Sequence, residues 1–204
     1  MIRVFQPGNI IHMTEYTTYT IFMGQQRLST APLRETLTYL KQHLENHART
    51  QPLVIFNDQT GKVVDFNLQG TLEEVLEREA PEPKTGPGRP KLGVVSREIS
   101  LLPRHWDWLE SHPNGASATL RRLIDEARKA NPAAESKRQA ILPTDRFLIV
   151  MGGDLPGAEE ASRALYNSDG ATFRTIVQNW PEDIRNHVLH LSAGAFEDNA
   201  EKKA

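Results

Sequence analysis

The sequence predicts an α+β protein with three parts: a small N-terminal α/β unit, a central module of one strand and two helices, and a helical C-terminal part. Two strand-turn-strand patterns come first, a Pro- and Gly-rich segment follows, and apolar residues at helical spacing continue through the rest of the chain. We place the parts and linkers at residues 1–79, 80–93 (linker), 94–130, 131–145 (linker) and 146–204.

The N-terminal unit is predicted to contain four strands in two β-hairpins. Residues 16–29, YTTYTIFMGQQRLS, are rich in β-branched and aromatic residues on either side of Gly24. A second pair of strand-like runs, PLVIFND and KVVDFNL, flanks a turn at Thr60 and Gly61.

Two helices are predicted beside these strands. Leucines recur at helical spacing across residues 33–48, and Thr30 or Ala31, just ahead of a proline, supplies the helix start. A shorter helix, TLEEVLERE, has Thr71 as its N-cap and Glu74 three residues later, which is the capping-box pattern.

The composition excludes several classes of protein. The 204 residues include no cysteine, which rules out disulfides, thiolate metal sites and cysteine nucleophiles. No apolar run approaches the roughly 20 residues that a membrane span requires. The opening MIRVFQPGNI also lacks the apolar core of a secretory signal. We therefore expect a cytoplasmic protein with no membrane partner.

The formal net charge of −2 conceals an uneven distribution along the chain. Residues 84–138 hold 11 Lys/Arg against 6 Asp/Glu, whereas the rest of the chain holds 13 against 20. A basic middle between acidic flanks favours a polyanion or an acidic protein as the partner of the middle part. Chance unevenness is the alternative.

The two helices of the central module are predicted to be amphipathic. Pro103 begins the first helix, in which Trp106 and Leu109 share one face, while Trp108 lies off that face and is expected at a dimer or interdomain contact. The second helix follows an Asn-Gly turn and has Ser117 as its predicted N-cap. Its apolar stripe consists of Leu120, Leu123, Ile124 and Ala127.

The strand that precedes these helices, VVSREISLL, alternates its side chains between two faces. Ile99 and Leu101 share one face, and Glu98 and Ser100 share the other. One strand and two short helices cannot close a core alone. We therefore expect two copies of the strand to pair antiparallel, forming a homodimer through residues 94–130.

Through ISLLPRHWDWL, NGAS and LRRLIDEAR, this module resembles a ribbon-helix-helix DNA-binding domain. In that fold a two-stranded ribbon enters the major groove and the N-terminus of the second helix meets a phosphate. The resemblance implies DNA contacts by the outward side chains of Ser96, Glu98 and Ser100, by the nearby Arg97, by the backbone N–H groups of Ala116, Ser117 and Ala118, and by Arg121 and Arg122.

The register of the ribbon has an alternative. Counting back from the proline as ribbon-helix-helix proteins usually run places Arg97, Ile99 and Leu101 outward, which would expose two large aliphatic side chains. The period-2 pattern favours the first register.

Upstream of the strand, PGRPK at residues 87–91 resembles an AT-hook, whose Gly-Arg-Pro core lies in the narrow minor groove of A·T-rich duplex DNA. The resemblance implies that Arg89 enters the groove, with Lys91 as a further DNA contact. A plain linker remains the alternative interpretation. The chain also resembles the bacterial domain of unknown function 2239 family over residues 16–192, through GPGRPKLGVVSREISLLPRHWDWL, GDLPG and WPEDIR. This resemblance does not indicate any particular activity.

The C-terminal part is predicted to be helical over DRFLIVMGG, PGAEEASRALYN, TFRTIVQNW and PEDIRNHVLHLSAGAFE. Pro156 and Pro181 occupy positions where helix starts tolerate proline. Asp183 and Arg185 of PEDIR could cap a helix or form a recognition surface, and capping is the simpler interpretation.

Candidate metal-binding and catalytic residues are sparse. His43 and His47 lie four apart on a predicted helix, and His187 and His190 form a second loose pair, but a solvated helix face is the simpler interpretation of both. GGDLPG at 152–157 lacks the residues of a phosphate-binding loop and fits a helix stop and restart. We expect no cofactor, no metal and no catalytic residues.

The sequence thus predicts a dimeric DNA-binding protein that regulates transcription. Two alternatives remain open: a protein-interaction module, antitoxin-like or scaffold, that docks an acidic partner, and an enzyme with its site in the N-terminal unit.

Overall fold

The computed structural model describes residues 17–44, 51–82 and 96–196. Its antiparallel sheet has the strand order β2-β1-β3-β4, with β1 Thr18–Met23, β2 Gln26–Pro32, β3 Leu53–Asn57 and β4 Lys62–Val63. Most of the other described residues are helical, so the predicted α+β class is confirmed.

Both faces of this small sheet are covered. Ile21 and Phe22 are neighbours in β1 and both are fully buried, and because side chains alternate along a strand they enter different layers. Ile21 lies opposite Ile55 and packs with Leu40 on one side. Phe22 packs with Phe56 on the other side, against the C-terminal helices.

The helices of the N-terminal unit are α1 Leu33–Tyr39, which continues as a π-helical segment Leu40–Leu44, and α2 Leu72–Glu79. Helix α1 begins at Leu33 with Pro32 in the cap position, so the predicted start at Thr30 or Ala31 is wrong. The reason is that β2 remains paired with β1 through Pro32. The predicted capping box of α2 is confirmed, with both of its hydrogen bonds present.

Strand β4 is shorter than the predicted KVVDFNL strand, because only Lys62 and Val63 pair with β3. Further along, the guanidinium group of Arg78 in α2 donates hydrogen bonds to the carbonyls of Asn67 and Gln69. These backbone acceptors are therefore satisfied by a side chain instead of a neighbouring strand.

The central module contains α3 Pro103–Glu110 and α4 Gly115–Ala130, the two helices predicted there. Asn114 is the N-cap residue of α4, so the predicted N-cap Ser117 instead lies in the first turn of the helix. Gly115 adopts φ +72° and its N–H donates to the His112 carbonyl at 3.0 Å. The Asn-Gly turn therefore leads directly into the helix, three residues earlier than predicted.

Helices continue through the rest of the described chain: α5 Pro132–Phe147, a π-helical segment Leu148–Gly152, α6 Ala158–Tyr166, α7 Gly170–Val177, α8 Glu182–Ser192 and a 3-10 turn Ala193–Ala195. The helices predicted for the C-terminal part are present. Pro181 is the N-cap residue of α8, and Pro156 precedes Gly157, the N-cap of α6. Within the described residues, no helix combines the length and apolar character needed to cross a bilayer.

Helix α5 occupies the segment predicted as a linker at 131–145, so that local prediction is wrong. The Asn131 side chain accepts a hydrogen bond from the Ala134 N–H at 3.0 Å and caps the helix. The polar first half and the internal Pro143 resemble a linker in sequence, but the second half packs into the protein interior. Its buried residues are Ala140, Pro143, Thr144 and Phe147.

The N-terminal unit and the C-terminal helices share one core. The ring of Phe147 in α5 lies 5.5 Å from that of Phe22 and 5.0 Å from that of Phe56 in the sheet. His187 of α8 contacts the same group, with its ring 4.7 Å from Phe147 and 5.4 Å from Phe22. The central module is therefore inserted in sequence between two parts that fold together.

Gly61, in the turn between β3 and β4, lies against the backbone of α5. It has φ +65°, and a Cβ atom there would stand 2.4 Å from the Pro143 carbonyl oxygen. Beside it, the Arg146 guanidinium donates a hydrogen bond to the Thr60 carbonyl at 2.6 Å. The turn and the helix are thus in direct contact, and only glycine fits there.

We expect Gly61→Ala to lower the free energy of unfolding by about 3 kcal/mol, from the strain of a positive φ plus the steric clash with α5. Chemical denaturation of the full-length chain measures it. Gly115→Ala is the matched control, because Gly115 also has positive φ but a Cβ there meets nothing within 4 Å; about 1 kcal/mol is expected. Equal losses in the two variants would contradict the close contact.

Candidate functional site

The residues predicted to contact DNA lie on the surface of the central module where they are described. Ser96, Arg97, Glu98 and Ser100 are exposed in the irregular segment before α3, residues 96–102. Ser117, Arg121 and Arg122 are exposed on α4. Arg89 and Lys91, the AT-hook residues, lie outside the described residues.

Segment 96–102 has no strand partner within the part of its own chain that is described. Residues 96–102 have no regular secondary structure, so the predicted strand does not form against another described segment of the same molecule. Ile99 is 52% exposed and Leu102 50% exposed, while Leu101 is partly buried. The single chain therefore favours neither ribbon register, and pairing with a second copy stays a prediction.

The two helices behind this segment are only partly packed. Leu109 of α3 and Thr119 of α4 are buried, and Trp106, Leu120 and Leu123 are half-buried. The predicted apolar stripe of α4 continues beyond this contact, because Ile124 remains 56% exposed and Ala127 is exposed as well. A single module thus leaves large apolar side chains in water, which is typical of a surface that binds another molecule.

Trp108 is a further large apolar side chain of the module that is exposed. It is 49% exposed and packs against the ring of His112 at 4.2 Å. The Trp108 carbonyl also accepts a hydrogen bond from the Ser111 hydroxyl at 2.7 Å, at the point where α3 ends. Trp108 therefore lies off the buried face, as the sequence predicts, and its part in a dimer or interdomain contact stays a prediction.

The charge of the described module is nearly balanced. Residues 96–130 contain six Lys/Arg and five Asp/Glu. One of the basic side chains, Arg122, is paired with Glu126 on the same helix at 2.8 Å. Most of the positive excess of the middle of the chain therefore comes from its flanks, and above all from Lys84, Arg89 and Lys91.

A second polar site, which the sequence did not indicate, lies in the shared core. The Asp58 carboxylate, at the end of β3, accepts hydrogen bonds at Oδ2 from the hydroxyls of Thr18 at 2.6 Å and Thr20 at 3.0 Å. Its Oδ1 lies 3.5 Å from Nε2 of His187. Both side chains are buried, so the prediction that His187 lies on a solvated helix face is wrong, whereas His190 is exposed.

Burial shifts the pKa values of this pair in opposite directions. Desolvation raises the pKa of Asp58, although the hydroxyls of Thr18 and Thr20 oppose the shift. Desolvation lowers the pKa of His187 to about 4, helped by the positive charges of His190 and Arg27. His187 is therefore neutral at pH 7.

The other candidate residues have structural roles. Asp183 accepts a hydrogen bond from the backbone N–H of Arg27 at 2.9 Å and so ties α8 to β2. Arg185 donates to the Gln178 carbonyl at 3.1 Å, beyond the end of α7. In the GGDLPG segment, the Pro156 carbonyl accepts from the indole N–H of Trp180 at 2.9 Å.

Metal-binding arrangements are not found among the described residues, where no three His, Asp or Glu side chains are grouped to hold an ion. His43 stacks on Tyr39 at 4.6 Å on α1 and its π-helical extension. His47, its predicted partner, lies outside the described residues.

A sequence profile described as an uncharacterized protein conserved in bacteria, domain of unknown function 2239, matches residues 18–192. The chain belongs to this family. The match begins at β1 and ends with α8, so the unit that defines the family includes both halves of the shared core and the central module between them. No curated protein and no solved structure gives a significant match.

We expect His187 to make the protein less stable in acid. The unfolded state takes up a proton near pH 6.5 while the folded state resists until about pH 4, so stability falls as the pH drops between these values. Asp58 acts oppositely, since its raised pKa favours the folded state in acid. His187→Gln should therefore lose about 2 kcal/mol less than the wild type between pH 7 and pH 4.5.

Urea denaturation at each pH measures this difference. His105→Gln, at an exposed position of α3, is the matched control and should follow the wild type. Parallel pH profiles for His187→Gln and the wild type would contradict the burial of a neutral imidazole.

Proposed function

We propose that this protein binds DNA as a homodimer through residues 94–130 and regulates transcription. The observation that supports this most directly is the largely exposed segment 96–102, which has no regular secondary structure and no strand partner in its described chain, and which leads into an incompletely packed helix pair. Such a segment satisfies its backbone hydrogen bonds best by pairing with an identical copy.

Apolar burial favours the same arrangement. Ile99, Leu102 and Ile124 are each half-exposed or more, and full burial of a side chain of this size contributes about 1.5–3 kcal/mol relative to its exposed state. Pairing two copies would remove part of this surface from water twice over, once in each subunit. In a single chain, the packing of α3 against α4 leaves these three side chains exposed and gains none of this free energy.

In the proposed complex, the paired segments enter the major groove with Ser96, Glu98 and Ser100 outward and Arg97 beside them. The first turn of α4, including Ser117, would contact a phosphate, with Arg121 and Arg122 further along the helix. Arg89 and Lys91 of the linker would supply much of the electrostatic attraction, because the module itself has only one excess positive charge.

The near balance of charge in residues 96–130 favours one alternative, a module that docks a protein partner. An acidic partner would then be attracted mainly by the basic linker. This alternative also uses the exposed apolar side chains, but it predicts no affinity for duplex DNA.

The dimer is tested by light scattering of the purified chain, with Ile124→Glu as the test variant. We expect the mass of two chains for the wild type and of one chain for the variant, because a buried unpaired carboxylate opposes the interface. Ile149→Glu is the matched control, since Ile149 is 69% exposed outside the module, and it should remain dimeric. A monomeric wild type would refute the ribbon.

DNA binding is tested by titration of duplex DNA at several salt concentrations. The double variant Arg89→Ala, Lys91→Ala should reduce the slope of log affinity against log salt by about 1.8, or about 0.9 for each lost phosphate contact. Arg174→Ala, on the exposed surface of α7, should leave the slope unchanged.

Two outcomes of this titration oppose the proposal or part of it. A dissociation constant above about 1 mM for random duplex at low salt would exclude specific and non-specific DNA binding alike. Equal loss of affinity for A·T-rich and G·C-rich duplexes in Arg89→Ala would exclude insertion into the minor groove.

A further inference from the structure

A polar cleft of about 600 Å³ opens where the end of β3 meets α5 and α8. Its polar wall consists of Thr18, Asp58, Gln59, Thr60, Gln139 and His190. The volume lies within the usual range for small-molecule sites. The cleft is separate from the residues of the central module through which DNA binding is proposed.

Asp58 is the charged group beneath this cleft, and its hydrogen bonding is incomplete. Oδ2 accepts from two threonine hydroxyls, but Oδ1 has no hydrogen-bond partner among the described residues. Nε2 of His187, 3.5 Å away, is likewise without a hydrogen bond in the described structure. Buried polar atoms in folded proteins are normally paired, so an unpaired carboxylate oxygen beside a cleft indicates a missing donor.

We propose that this cleft binds a small organic molecule through a primary ammonium group, which donates a hydrogen bond to Oδ1 of Asp58. A cation is favoured because the side chain beside Oδ1, His187, is neutral at pH 7, and no Lys or Arg among the described residues forms a salt bridge with this carboxylate. An ammonium group suits a single open oxygen, whereas a guanidinium group favours two parallel acceptors and Oδ2 is already occupied.

The rest of the ligand would be polar. The side chains of Thr60 and Gln139 at the wall offer hydroxyl and amide groups, which suit an amino alcohol or a similar hydroxyl-bearing amine. Oδ1 itself is buried, so the ammonium reaches it only after a neighbouring side chain changes rotamer.

The test uses the full-length chain and ethanolamine as the probe, in phosphate buffer at pH 7.5, with NMR of the imidazole protons of His187 and His190. We expect saturable shifts with millimolar affinity for ethanolamine and none for ethylene glycol, its neutral counterpart. Asp58→Asn should weaken binding by about tenfold or more, because a hydrogen bond to a charged group is lost. Asp154→Asn, at an exposed aspartate away from the cleft, should bind like the wild type.

Thr60→Lys keeps the test decisive if Asp58→Asn does not fold. Thr60 is exposed, and a lysine there places a tethered ammonium in the cleft, which should abolish ethanolamine binding. The proposal is overturned if no saturable shift occurs up to about 100 mM ethanolamine or if ethylene glycol binds equally well. It is also overturned if folded Asp58→Asn, or Thr60→Lys, binds ethanolamine like the wild type. Because the assay contains no DNA, its result is independent of the proposed regulatory function.

Discussion

The fold depends on the contact between the sheet and the helices α5 and α8. A four-stranded sheet whose last strand has two residues cannot stabilise itself, because its Phe22 and Phe56 face would be left in water. Phe147 covers that face and His187 packs beside it. The close fit of Gly61 against Pro143 also depends on this helix layer lying next to the strands.

The same contact creates the buried polar pair. Thr20 and Phe22 share the face of β1 that meets α8, so the layer that covers the phenylalanine also encloses Asp58 and its threonine partners. His187 is the residue of α8 that contacts the Asp58 carboxylate. An apolar side chain there would pack more simply, which is why the pair is the strongest sign of function in the core.

Local patterns in the sequence were sufficient for much of the fold. The hairpin at Gly24, the capping box of α2 and the proline that begins α3 each depend on neighbouring residues, and all are present in the structure. Features that depend on distant residues were missed. Helix α5 is defined by the burial of its second half, and the environment of His187 is set by Asp58, far away in the sequence. The proposed ribbon requires contacts with a second copy of the chain, and local sequence patterns do not report such contacts.

Because Phe22 and His187 come from opposite ends of the described chain, the central module must be synthesised before the core can close. Until α5 and α8 leave the ribosome, the nascent sheet presents Phe22 and Phe56 on an uncovered face, a state that attracts chaperones or self-association. Folding is then expected to be slow and to finish late, since the decisive contacts span almost the whole described length. For the same reason, the sheet is unsuited to survive as an excised fragment, even though its strands are contiguous in sequence.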